Sequence, residues 1–91
     1  MKNEHQIYLI SDSTGETIDR IFAALRAQFS NFEYELNHFS FTRTENQIQK
    51  ILENAKKKEN PIILYTFVIS KLAKYFSDES QKKQIPCFGA V

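Results

Sequence analysis

The chain has 91 residues, of which 42% are hydrophobic, 13% aromatic and 25% charged, with a formal net charge of +1 at pH 7. This is the composition of one folded domain with enough apolar material for a core, and the near-neutral balance gives no electrostatic case for a nucleic-acid or membrane partner. The lone Cys87 excludes an internal disulfide and a cysteine metal cluster; no apolar run nears the ~18 residues of a membrane span and Met1-Lys2-Asn3-Glu4-His5 is no signal peptide, so the expected compartment is the cytoplasm.

Apolar runs alternate with amphipathic segments along the chain. Gln6 to Ser11 reads as a first strand. From Glu16 to Phe29, the stripe Ile18, Ile21, Phe22, Leu25 and Phe29 recurs with helical spacing, and Asn31 marks its end. Phe32, Tyr34 and Leu36 alternate with polar residues as in an edge strand with one wet face. Phe39 and Phe41 fall on the opposite parity, a slip that marks a bulge, a twist or the limit of the strand.

Thr44-Glu45-Asn46-Gln47 reads as a capping box opening a second helix, with Thr42 and Glu45 an alternative frame. Ile48, Ile51, Leu52 and Ala55 form its apolar stripe, and Lys56-Lys57-Lys58 stand where cations complement a helix C-terminus. Asn60-Pro61 breaks the chain. The unbroken apolar run from Ile62 to Val68 reads as a central parallel strand covered on both faces. Ser70 is placed to cap a third helix with Leu72, Tyr75 and Phe76 facing inward, and the polar Ser77-Asp78-Glu79-Ser80 is a point where that helix would break or restart. Ile85 to Val91 reads as the last strand, with Pro86 near its start.

This β-α-β-α-β-α-β sequence, with crossovers of such length, predicts a small doubly wound, Rossmann-like α/β domain of four mainly parallel strands and three helices, in the order 2-1-3-4. In such a sheet, ligands bind at the carboxyl edge. The turn from the first strand into the first helix, Ser11-Asp12-Ser13-Thr14-Gly15-Glu16-Thr17, therefore attracts attention. Ser11, Ser13, Thr14 and Thr17 supply hydroxyls and Gly15 permits close backbone approach, a set suited to a phosphate or other anion. Asp12 is the candidate for a Mg²⁺ ligand or a proton acceptor.

The competing reading is structural, because Ser13 to Glu16 fits a capping box and both Asp12 and Glu16 repel an anion. Arg43, ending the second strand, and Thr66, ending the third, would share the same edge as phosphate-binding candidates. Neither G-x-G-x-x-G nor G-x-x-x-x-G-K-[ST] occurs, since Gly15 and Gly89 are the only glycines. His5 and His38 have no metal-ligand spacing around them and are read as structural or exposed. Phe22, Phe29, Phe39, Phe41, Phe67 and Phe76 are read as core.

The string from Tyr8 to Thr17 resembles the opening of the bacterial pyruvate, phosphate dikinase and phosphoenolpyruvate synthase regulatory proteins, and the resemblance extends through Pro61 to Val68 and Ile85-Pro86-Cys87. It implies a bifunctional enzyme that uses ADP to phosphorylate a threonine of the target and inorganic phosphate to remove it, releasing pyrophosphate. ADP, phosphate and possible Mg²⁺ are the ligands so implied, and the dikinase or synthase is the partner, with self-association through the last strand a further expectation.

The family's P-loop matches no position here. The resemblance therefore makes residues 1–91 a single N-terminal α/β domain of a longer protein, inactive by itself as a kinase. Ser11 to Thr17 would complete the active site. The alternatives are a docking or oligomerisation module, or a small phosphate- or nucleotide-binding domain standing alone.

Overall fold

The computed structural model describes residues 5–29 and 33–89. Residues 1–4, Asn31, Phe32, Ala90, Val91 and the Phe29 side chain, invoked above, lie outside what it describes. Four strands, β1 (His5–Ser11), β2 (Tyr34–Phe39), β3 (Pro61–Thr66) and β4 (Cys87–Gly89), alternate with the helices α1 (Glu16–Leu25), α2 (Glu45–Lys56) and α3 (Ser70–Lys82). All three strand pairings are parallel and the sheet order is β2-β1-β3-β4, the 2-1-3-4 arrangement expected from the pattern of elements.

β1 is central, which explains why nothing polar interrupts Ile7 to Ile10. Every residue from Gln6 to Ser11 is buried. Right-handed crossovers put α1 on one face and α2 and α3 on the other, and the packing follows. Ile7, Leu9 and Leu64 meet Ile18 and Phe22 of α1. Tyr8, Ile10 and Ile63 meet Ile48, Ile51, Leu52 and Ala55 of α2 and Leu72 and Phe76 of α3.

That division accounts for the parity slip in β2. Its register against β1 runs without a bulge from Tyr34 opposite His5 to Phe39 opposite Ile10. Tyr34 and Leu36 pack towards α1, while Phe39 packs on the opposite face and stacks on Tyr8 with ring centroids 5.9 Å apart. A straight edge strand changes the face that it buries because α1 covers its beginning and α2 its end. The strand stops at Phe39. Phe41 lies beyond it with φ +55°, and its ring is 51% exposed, contrary to its expected place in the core.

The helix boundaries separate local signals from distant ones. Thr44 caps α2 as a full box, its Oγ1 accepting from Gln47 N–H at 3.1 Å while Gln47 Oε1 accepts from Thr44 N–H at 3.0 Å. α1 is shorter than its apolar stripe, tightening after Leu25 into a 3-10 turn over Arg26–Phe29. α3 runs unbroken through Ser77-Asp78-Glu79-Ser80, so the polar stretch does not divide it. The half-buried Glu79 explains part of this, since its Oε1 accepts from Gln49 Nε2 of α2 at 2.8 Å. That hydrogen bond, then the one from Lys82, holds the Glu79 carboxyl below its ordinary range. Among the described residues β4 covers Cys87–Gly89, starting after Ile85 and Pro86, with Cys87 half-buried.

Candidate functional site

The carboxyl edge is built around the turn between β1 and α1. Ser11 is the last residue of β1 and pairs with Thr66, the last of β3, so the turn lies beside the end of β3 as the strand order requires. On its other side it meets the segment between β2 and α2. There, four successive carbonyls are taken: Ser11 by Thr42 N–H at 2.9 Å, Asp12 by Arg43 Nε at 3.0 Å, Ser13 by Phe41 N–H at 2.9 Å and Thr14 by Ser40 Oγ at 3.1 Å. Such dense pairing fixes the turn in one conformation.

Phe41 adopts its left-handed backbone to donate this bond, a conformation that costs a bulky residue roughly 1–2 kcal/mol. The strain is held by the surrounding contacts. Its ring also sits beneath the Arg43 guanidinium, 5.0 Å from Cζ to the centroid.

Asp12 faces the third loop. The residue is 4% exposed, and its Oδ1 accepts from Val68 N–H at 3.2 Å and its Oδ2 from Ile69 N–H at 3.0 Å. These groups belong to the entry of α3. The cap expected from Ser70 is absent: Ser70 is already helical, Ile69 occupies the cap position without a side-chain bond, and the Asp12 carboxylate takes the two N–H groups just before the helix from across the sheet. A carboxylate committed to two amides is a clamp between β1 and α3. Among the described residues, no three His, Cys, Asp or Glu side chains come together to hold a metal ion.

The capping box expected at Ser13 to Glu16 is also absent. Gly15 is the cap residue of α1, with φ +89°, and no side chain caps the helix. Ser13 turns back instead, its N–H donating to Ser11 Oγ at 3.1 Å with the two hydroxyls 3.2 Å apart. Only a long contact of 3.5 Å, from Glu16 N–H to Thr14 Oγ1, serves the first turn. The helix regains regular bonding when Asp19 N–H reaches Gly15 O at 3.0 Å. Thus the structural role that competes for Ser13 and Glu16 is not the one they perform.

Ser13, Thr17, Thr66, Phe67 and Val68 line a cleft of about 370 Å³ between the start of α1 and the end of β3. It brings three of the hydroxyl candidates together. Ser11 is buried behind it, Thr14 is exposed, Gly15 is buried at the turn, and Arg43 stands on the opposite flank, tied to the Asp12 carbonyl. Phe67 and Val68 were not singled out by sequence; only their position after a strand neighbouring β1 gave a signal. His38 is exposed and pairs with Asp19 at 3.1 Å, away from the cleft lining.

A turn so built, after a central strand and before an uncapped helix, matches a family as well as a geometry. A family model described as kinase/pyrophosphorylase matches residues 7–91. The chain belongs to the kinase/pyrophosphorylase family. It is 55% identical over its 91 residues to a protein of Pelagibacter ubique named as a pyruvate, phosphate dikinase regulatory protein, and covers 33% of that protein. Proteins given the same name in Alkaliphilus metalliredigens and Geotalea uraniireducens are 40% and 38% identical over 86 residues, with 31% and 32% of their lengths covered. The chain spans about a third of the length of these curated relatives. Among its described residues, no helix is long and apolar enough to cross a membrane.

Proposed function

We propose that this kinase/pyrophosphorylase chain is the N-terminal α/β part of an enzyme that regulates pyruvate, phosphate dikinase or phosphoenolpyruvate synthase. The enzyme phosphorylates a threonine of its target with ADP and removes the phosphoryl group with inorganic phosphate. The observation that carries this reading is the turn from Ser11 to Thr17, fixed through its carbonyls and by the Asp12 clamp while the start of α1 goes uncapped. A turn held in this way is preorganised for a ligand rather than spent on starting a helix.

In this reading the chain supplies one wall of the active site. The remaining two-thirds of the enzyme supplies the nucleotide-binding loop, since the chain's two glycines cannot form a G-x-x-x-x-G-K-[ST] motif. Asp12 acts by position, holding the entry of α3 against the turn. Mg²⁺, if it accompanies ADP, is coordinated by groups outside this clamp.

The test is a hybrid in which this chain replaces the corresponding third of the Pelagibacter ubique relative. With ADP and purified dikinase or synthase, the hybrid should phosphorylate one of the two on threonine, and the 91-residue chain alone should phosphorylate neither. Transfer by the chain alone, or a folded hybrid that modifies neither protein, would overturn the proposal.

A second role for the same edge is favoured by its exposed apolar side chains. Phe41, Val68 and Ile69 are 51%, 84% and 47% exposed there. They suit contact with the target protein. Phe41→Ser in the hybrid should raise KM for the protein substrate and leave KM for ADP unchanged.

A further inference from the structure

The two faces of the sheet are covered unequally. α2 and α3 both lie on one face, where Tyr65 and Cys87 pack against the core that holds Phe76. Among the described residues, only α1 supplies helical side chains to the core of the other face, through Ile18 and Phe22. Four strands at ~4.8 Å each span about 19 Å, whereas one helix with its side chains covers about 10–12 Å. Part of the α1 face is therefore left open.

The open part lies over β3 and β4. Ile62 and Leu64 alternate onto the α1 face, and the parallel register sets Leu9, Leu64 and Phe88 in one row across β1, β3 and β4. Exposure rises along that row, from 2% at Leu9 to 9% at Leu64 and 57% at Phe88. Ile62, two residues before Leu64, is only half-buried. An edge position alone does not explain this, because Cys87 of the same strand is half-buried beneath the α3 side. What Phe88 lacks is a helix above it.

The size of the patch selects its occupant. A stable contact with a free partner or a second copy takes about 800 Å² from each side. An aromatic side chain buries about 150–250 Å² in all, so the exposed part of Phe88 and the edge of Ile62 fall far short. A segment joined to the same chain needs much less, since tethering presents it at roughly millimolar effective concentration. The chain covers 33% of its Pelagibacter ubique relative, so a protein of that length has two-thirds of its residues from which to supply such a segment. Parallel sheets are covered on both faces by helices.

We infer that the α1 face over β3 and β4 seats a helix from the other two-thirds of the full-length protein, lying beside α1 with its apolar stripe on Phe88, Leu64 and Ile62. The inference rests on the reading of this chain as one part of a longer enzyme, and not on that enzyme's activity.

The experiment is hydroxyl-radical footprinting read by mass spectrometry, on the 91-residue chain and on the hybrid with the Pelagibacter ubique relative. Phe22 and Phe76, 3% and 0% exposed, set the rate for a buried phenylalanine in each protein and report that it is folded. Phe88 should oxidise rapidly in the chain alone. In the hybrid its rate should fall about sixfold, as its exposure drops from 57% towards the 9% of Leu64. His38, opposite Leu9 on β2 at the far end of the same row, should keep its rate.

An unchanged Phe88 rate in the folded hybrid, or an equal fall at His38, would overturn the inference. So would slow oxidation of Phe88 in the chain alone that quickens on dilution, which assigns the face to a second copy. Protection that appears only when dikinase or synthase is added assigns it to the target and overturns the inference as well. A hybrid that folds only as its Phe88→Ser variant has the same consequence. The outcome is separable from that of the kinase assay: an active hybrid with a fast-reacting Phe88 rejects this seat alone, and a folded, inactive hybrid with a protected Phe88 rejects the enzymatic reading and leaves the seat.

Discussion

Replacing Asp12 by Ala tests the clamp on which the arrangement of the edge depends. The substitution removes the acceptor of Val68 N–H at 3.2 Å and of Ile69 N–H at 3.0 Å. A hydrogen bond to a charged group contributes about 1.5–3 kcal/mol. Both donors lie on exposed residues, 84% and 47%, and regain water when the acceptor is gone, so each loss falls at or below the lower end of that range. Removing the anion also takes a favourable charge from beside the N-terminus of α3, worth about 0.3–1 kcal/mol.

The expected net loss is about 2–3 kcal/mol. For a domain of this size it lowers Tm by roughly 10–20 °C. Asp12→Asn should cost less, about 1–2 kcal/mol, since the amide oxygen still accepts one N–H while its NH₂ group faces the other. Urea and thermal unfolding followed by circular dichroism measure both, and amide exchange at Val68 and Ile69 should quicken in each. Stability of Asp12→Ala within about 0.5 kcal/mol of the parent would refute the clamp. So would an Asp12→Asn hybrid that loses turnover at unchanged stability, because Asp12 would then act on a ligand.

Three further outcomes follow from the same geometry. Gly15→Ala should destabilise the chain by about 1–2 kcal/mol in urea unfolding, because φ is +89° there and the added Cβ would lie 3.1 Å from Ser40 Oγ. Thr44→Ala should cost about 1 kcal/mol by removing the cap of α2, read as a lower urea midpoint at unchanged m. Burial, and secondarily Glu35, raises the Tyr8 pKa above its ordinary 10.0, and burial chiefly raises that of Tyr65. An acid held protonated by folding favours the native state below the unfolded pKa and withdraws that stability as pH rises through the folded one. Urea midpoints should therefore fall above about pH 10, and fall less steeply in Tyr8→Phe.

The sheet order was legible because two strands carry unbroken apolar runs and a third alternates, which separates the central strands from an edge. The Thr44–Gln47 box was legible because both partners lie within one turn. Two other caps were misread for one physical reason: tertiary contacts displaced local ones. Ser13 and Glu16 have the spacing of a box, yet the hydrogen bonds at Ser11 to Thr14 hold the turn so that Gly15 takes the cap position. Ser70 yields to Asp12, 58 positions earlier, a pairing that only the parallel alignment of β1 with β3 brings about. Phe41 looked like core because its hydrophobicity is visible in sequence and its left-handed backbone is not. Of the ligand candidates, Ser13, Thr17 and Thr66 converge on one cleft, while Arg43 lies across the turn from it.

The most direct measurement of the central claim is the phosphate dependence of threonine dephosphorylation by the hybrid enzyme, with and without Thr66→Val. If the edge of this sheet forms a wall of the active site that holds phosphate oxygens, the substitution should raise KM for phosphate about fivefold to tenfold with folding intact. An unchanged KM and an unchanged kcat in the folded variant would contradict the account and return the Ser11–Thr17 turn to a purely architectural role.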